Sequence, residues 1–248
     1  MNTLEQHDKQ VNNALAFLVK AKHTNAANLQ IIAGRTRRGF PTQLKRLGWV
    51  VSRDMGGGIT VFGLSKKGAD RMGVAQFDIH KLTVGRVQHG LIAQFETLIA
   101  VRDLGVIDFV FEPQDHSHET RPDAKLIRHD LPNIFLEVEL SAKFVGDGEL
   151  DRFFIKLLSR RTIVVFKDQM LLDRYAKAAT VYVSSGIPEW ERVNGKWKKT
   201  GHILEFGDIS WSNIEFRKHR GFQHPDKVAN MRYFGMTFAG KDFKWDDE

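Results

Sequence analysis

The sequence predicts a mixed α+β / α/β protein of two modules: three short helices and a glycine-tipped hairpin over residues 1–75, then a mixed sheet flanked by helices over residues 84–248. Three observations carry this reading. Helical periodicity in the first fifty residues gives way to two short apolar runs around Gly56-Gly57-Gly58, and β-branched runs alternate with helical stretches beyond residue 84. The charge is also divided: of a net +7 over 248 residues, residues 1–80 hold 12 Lys/Arg against 5 Asp/Glu, while the remainder balances at 25 against 25. A basic module attached to a neutral one points to nucleic acid at one end and a different task at the other. With 42% hydrophobic and 27% charged residues, disordered and fibrous classes are excluded. The absence of cysteine removes disulfides, thiolate metal sites and Cys nucleophiles, so any metal must sit on oxygen or imidazole ligands. No signal-like start and no apolar run of about 18 residues occurs, so a cytoplasmic protein without membrane insertion is expected.

Val11, Leu15, Leu18 and Val19 give a first amphipathic helix from Leu4 to Ala21. Thr24 is placed to cap a second, with Ala26, Leu29, Ile32 and Ala33 on its apolar side and Gly34 as its exit. A third runs from Gly39 to Leu47, with Pro41 in its first turn and Gly48 ending it. Trp49–Val51 and Ile59–Leu64 read as strands of a hairpin, and Ser65-Lys66-Lys67-Gly68 opens a last helical turn. Residues 72–83 have weak periodicity and read as a connector. Then come a long helix, Val84–Asp103, and a strand, Val106–Phe111.

Further strands are expected at Asp123–Ile127, Ile134–Leu140, Thr162–Phe166 and Thr180–Ser184, with helices at "ELDRFFIKLL" and from Asp168 to Ala178. Alternation along the second of these strands puts Ile134, Leu136, Val138 and Leu140 on one face and Phe135, Glu137 and Glu139 on the other. Two carboxylates on one face of an apolar strand demand a metal, an Arg or Lys, or a shared proton. The turn "RHDLPN" makes the two strands antiparallel neighbours, so Asp123 can join the pair. Three such oxygens suit Mg²⁺ or Mn²⁺.

Three helices and a hairpin, with the phrases "LKRLGWV" and "LSKKGAD", resemble a winged helix-turn-helix domain. The resemblance makes the third helix the reader of double-stranded DNA. It and the residues leading into it carry Arg35, Arg37, Arg38, Gln43, Lys45 and Arg46, suited to phosphates and base edges. Five cations each neutralising a phosphate would give a salt slope of about −4.5. "Pro122-Asp123", an acid fourteen residues later in a strand, and a following helix resemble the PD-(D/E)xK restriction-endonuclease-like core. That implies Asp123 and Glu137 as metal ligands and Glu96 on the preceding helix as an accessory acid. The motif lysine is replaced by Glu139, which joins the acidic set, and Lys125 or Lys143 are the candidates for the missing cation. Lys156 and Arg152 are candidates for holding the scissile phosphate.

The combination of winged helix, "RPDA", "FLEVEL" and "ELDRFFIKLL" over residues 10–185 is similar to the replication-relaxation family, especially MobC-type relaxases. The similarity implies a metal-dependent single-strand nick at a plasmid transfer origin, made with an accessory mobilisation protein and a coupling protein. The competing reading is a non-catalytic DNA-binding replication or partition regulator on a degenerate nuclease fold, and a third is a nuclease cutting both strands. His116-Ser117-His118 imitates a relaxase histidine motif but reads as a polar loop. Tyr182 reads as packed, and Tyr175 and Tyr233 as exposed. Trp190, Trp197 and Trp211 lie among lysines, a composition that suits either packing or stacking on unpaired bases.

Overall fold

The structure is a computed structural model that describes residues 3–34, 39–112, 122–143, 148–222 and 236–237. Arg35, Arg37, Arg38, His116, His118, Tyr233 and the tail "KWDDE" lie outside the described residues. The chain divides into two units, Met1–Pro113 with Arg220–Met231 and Gln114–His219 with Arg232–Glu248.

In the first unit α1 (Thr3–Ala21) is followed by a two-residue strand β1 (Thr24–Asn25), α2 (Ala26–Ile32) and α3 (Phe40–Arg46). Thr24 was expected to cap α2. The cap is Asn25, whose side chain accepts from the Asn28 amide, because Thr24 is drawn into pairing with Phe62. β2 (Val50–Asp54) and β3 (Thr60–Leu64) form the expected hairpin. Gly56, Gly57 and Gly58 all have positive φ, which only glycine adopts without strain. Ser65 caps α4 (Lys66–Met72). Val11, Leu15, Leu18, Leu29, Leu44 and Leu64 fill the core of this module.

The connector is more ordered than its composition suggests. It holds a 3₁₀ turn at Ile79–Lys81, and Arg53 donates to the carbonyls of Ile79, His80 and Leu82. Ile79 and Leu82 pack with Val61, Val87 and Leu91, so α5 (Val84–Asp103) and β4 (Val106–Phe111) fall in the first unit, which runs past the expected end at residue 75.

The second unit contains β5 (Ala124–Arg128), β6 (Ile134–Glu139), α6 (Glu149–Leu158), β7 (Thr162–Phe166), α7 (Gln169–Ser185), the hairpin β8 (Ile187–Val193) and β9 (Lys196–Leu204), α8 (Asp208–Ser212), β10 (Ile214–Lys218) and β11 (Met236–Thr237). Its sheet runs in the order β11-β10-β7-β6-β5. β6 pairs antiparallel with β5 and parallel with β7. The Glu137 face of β6 is shared by Val164, Phe166 and Phe216, and is covered by Phe154 of α6 and Tyr175 of α7.

One element differs in kind. The expected strand Thr180–Ser184 is the last part of α7, which Asp168 caps by accepting from the Leu171 amide. The hydroxyls of Thr180 and Ser184 bond to the carbonyls four residues back. Tyr175, Ala179 and Tyr182 pack against the core while Val181 and Val183 face outward, so the β-branched pair loses only a weak propensity to tertiary packing. Among the described residues, no helix is long and apolar enough to cross a membrane.

Candidate functional site

The short turn after β5 folds the chain back so that Ala124 lies opposite Leu136. Continuing that register sets Asp123 across from Glu137. The Asp123 amide donates to the Leu136 carbonyl at 2.9 Å, and its Oδ2 accepts from the Val138 amide at 2.7 Å. The carboxyl group is thus fixed by the strand beside it.

The cations required by Glu137 come from α6 and the residues just after it. Lys156 Nζ lies 2.5 Å from Glu137 Oε1, and Arg160 Nη2 lies 3.1 Å from the same oxygen. Arg160 also stacks over Phe135, its guanidinium carbon 4.3 Å from the ring centroid. Glu139 follows a separate path. Its Oε1 meets Lys143 Nζ at 3.3 Å, while Tyr175 donates its hydroxyl to Oε2 at 3.4 Å. Lys143 is shared with Glu149 at 3.5 Å.

Burial dominates the electrostatics. It raises Asp123 well above the ordinary carboxyl range, and the negative charge of Glu137 adds to the rise. Glu139 is raised to about 7, chiefly by burial and against the opposing pull of Lys143. The Lys156 amine is lowered by burial even though Glu137 works the other way. Acid and base are therefore shifted towards each other by the same cause, burial.

Asp123, Glu137 and Lys156 are brought together as candidates for one site; Lys143 and Glu139 form an adjoining pair. Lys125 sits on the same face as Phe135, its amine 6.0 Å from the ring centroid, and among the described residues it pairs with neither Glu137 nor Glu139. Glu96 is buried on α5 in the first unit. Arg160 was missed: it follows Lys156 by four residues but lies two beyond the last residue of α6. Tyr175 was expected to be exposed. It is instead 1% exposed, packed by Phe153, Phe154 and Phe166, because it lies on the same helix face as Ala179 and Tyr182. Tyr182 is packed as expected and donates its hydroxyl to Asp151.

The expected trio of metal-binding acids does not assemble: among the described residues, no three His, Asp or Glu side chains gather as a group that could hold a metal ion. Glu139 is taken up by Lys143 and Tyr175. Asp123 and Glu137 remain as a two-carboxylate pair, and Mg²⁺ is commonly held by one or two carboxylates with phosphate oxygens and water completing its shell. That pair has the donor type and number such an ion uses when a phosphate accompanies it.

On α3, Lys45 and Arg46 are exposed, and Lys45 donates to the Ser52 hydroxyl at 2.8 Å. Gln43 is half-buried, with its amide 3.5 Å from His7 Nε2. Lys67 and Arg71 both lie over the Trp49 ring, at 4.2 and 4.6 Å. No protein-family model matches the chain, and no curated protein or solved structure gives a significant match.

Proposed function

We propose that the chain is a DNA-nicking relaxase: a winged-helix unit that binds double-stranded DNA, joined to a PD-(D/E)xK-like unit that makes a metal-dependent single-strand cut at a plasmid transfer origin. The observation that carries this reading is the grouping of Asp123 and Glu137 across one strand pair with the Lys156 amine 2.5 Å from Glu137. Glu139 occupies the usual lysine position, and α6 supplies an amine to the same acid from a different point in the sequence. Asp123 and Glu137 would hold Mg²⁺ or Mn²⁺, which when bound polarises the scissile phosphate and lowers the pKa of the attacking water or hydroxyl. Arg160 fixes the Glu137 carboxylate by charge and by its stack on Phe135. Lys156, with an amine already made less basic, is positioned to donate a hydrogen bond to a phosphate or to carry a proton. Lys45 and Arg46 supply duplex contacts. Cytoplasmic location, and partnership with an accessory mobilisation protein and a coupling protein, belong to the same proposal.

One observation favours a second reading, the non-catalytic regulator. Glu137 is met by both Lys156 and Arg160 and Glu139 by Lys143, so each of these strand acids has a cation from the chain itself. Such a network can serve structure alone. The test is incubation of the full chain with supercoiled plasmid carrying its origin, in Mg²⁺ or Mn²⁺, beside Asp123→Asn. Asparagine keeps a carbonyl for the Val138 amide and removes the charge. Open-circular product from the wild type and at least a hundredfold less from the variant is expected. Duplex binding with no nicking in either protein would favour the regulator, and linear product would indicate cleavage of both strands.

A further inference from the structure

The three tryptophans of the C-terminal region separate into two kinds of site. Trp211 is 2% exposed and belongs to the core around Phe154. Trp190 and Trp197 stand half-buried on the β8–β9 hairpin. The register pairs Trp190 with Lys199 and Arg192 with Trp197, and side chains paired across antiparallel strands share a face. One face of the hairpin thus carries two indoles and two cations. Arg152 of α6 extends that face, its guanidinium carbon 4.1 Å from the Trp197 centroid.

The two indoles are held differently. Trp190 is an anchor: its Nε1 donates to Asp151 Oδ2 at 2.8 Å, and its ring lies against Gly148. Gly148 has a φ of +73°, and a Cβ there would fall 2.1 Å from the indole, so only glycine allows this approach. The Lys199 amine lies 5.5 Å from the centre of the same ring. Trp197 is near the hairpin tip, flanked by Lys196 and Lys198, both exposed. Arg192 has no ion-pair partner among the described residues, so its charge is available to a phosphate; Lys196 and Lys198 lie on the opposite face of the hairpin.

We infer that this hairpin face binds an unpaired DNA strand, with bases stacking on Trp197 and the guanidinium that covers it, and with Arg192 and Lys199 of the same face on the phosphates. Aromatic side chains and Arg planes stack on any base, and a cationic surface beside them follows the backbone. α6 ties this face to the acidic site: Arg152 and Lys156 are four residues apart on one side of the helix, about 6 Å along its axis. A strand held on Trp197 is therefore held one helical turn from the amine on Glu137. The assignment deepens the nicking proposal and rests on it for the source of the unpaired strand, which a nick at a melted site provides.

The test uses the full chain and a fluorescein-labelled 20-residue oligo(dT), read by anisotropy beside a blunt duplex of equal length. Trp197→Ala is expected to weaken oligo(dT) binding by about five- to a hundredfold, in line with alanine replacement at other stacking sites, and to change duplex binding less than twofold. Trp197→Phe should restore most of the affinity, and an unchanged melting temperature in both variants separates loss of stacking from loss of fold. Lys45→Ala/Arg46→Ala should give the reverse pattern. Equal oligo(dT) affinity in wild type and Trp197→Ala, or no oligo(dT) binding by the wild type, would overturn the inference. Nicking that persists alongside that result would leave the nuclease reading standing. Trp197-dependent oligo(dT) binding without nicking would retain the strand platform and remove the nuclease.

Discussion

The cations of α3 and those around Glu137 are the same residue types in opposite settings. Lys45 and Arg46 stand in solvent at the end of a short helix, while Lys156 and Arg160 are buried against one carboxylate, their side chains 10% and 7% exposed. Exposed charges are screened and add little to stability, and under the proposed function they meet a mobile polyanion. Buried charges are fixed by their partner, and removing that partner leaves them desolvated and unpaired. The difference separates a surface suited to recognition from a cluster suited to positioning.

The comparison is broken most directly at Glu137. Glu137→Ala should destabilise the fold by about 3–5 kcal/mol, seen as a lower urea midpoint, because two buried cations lose their carboxylate. A loss under about 1 kcal/mol would mean that the cluster is wetter and looser than its distances imply.

The next largest effect is on pH dependence. Glu139 has an ordinary value of 4.5 and is raised to about 7 in the folded state, so between those limits the native protein holds a proton that the unfolded chain has lost. Its contribution to stability is present below 4.5 and disappears as pH rises through about 7. Asp123 acts in the same direction. His23, lowered by burial to about 4, acts oppositely, adding stability that is lost as pH falls. Glu139→Gln should therefore make the slope of unfolding free energy more positive across pH 4.5 to 7, by up to about one proton. Superimposable pH profiles would show that Glu139 titrates normally.

The smallest stability effect is expected on α3. Lys45→Ala/Arg46→Ala should shift unfolding by no more than about 0.5 kcal/mol, yet flatten the salt dependence of duplex binding by about 1.8 in log–log slope if each residue neutralises one phosphate. An unchanged slope would exclude both from the DNA contact.

Much of this was legible in the sequence because local signals agreed with the fold. The alternation at Ile134–Glu139 placed two acids on one face, and the short turn before it set Asp123 across from Glu137. The spacing of Val87, Leu91, Phe95 and Ile99 gave α5 its span. Signals failed where long-range packing decided. Thr180–Ser184 has strand composition, yet Tyr182 is held by Asp151 and Phe154, and the segment stays helical. The separation of Glu139 from the Asp123–Glu137 pair depends on Lys143 and Tyr175, 4 and 36 residues away. Arg160 was hidden because it lies just past the end of α6. The sorting of Trp211 into the core, and of Trp190 and Trp197 onto the hairpin, required the register of β8 with β9.

The claim that Asp123 and Glu137 form the working pair, with Glu139 outside it, is tested most directly by Mn²⁺ binding to the full chain with and without a phosphorothioate oligonucleotide spanning the nick region. Electron paramagnetic resonance of free Mn²⁺ gives the bound fraction. Because Glu137 is already paired with Lys156 and Arg160 without an ion, binding should be at least tenfold tighter with the oligonucleotide present, abolished in Asp123→Asn and retained in Glu139→Gln. Equal Mn²⁺ binding by wild type and Asp123→Asn, or no binding by the wild type even with the oligonucleotide, would contradict it.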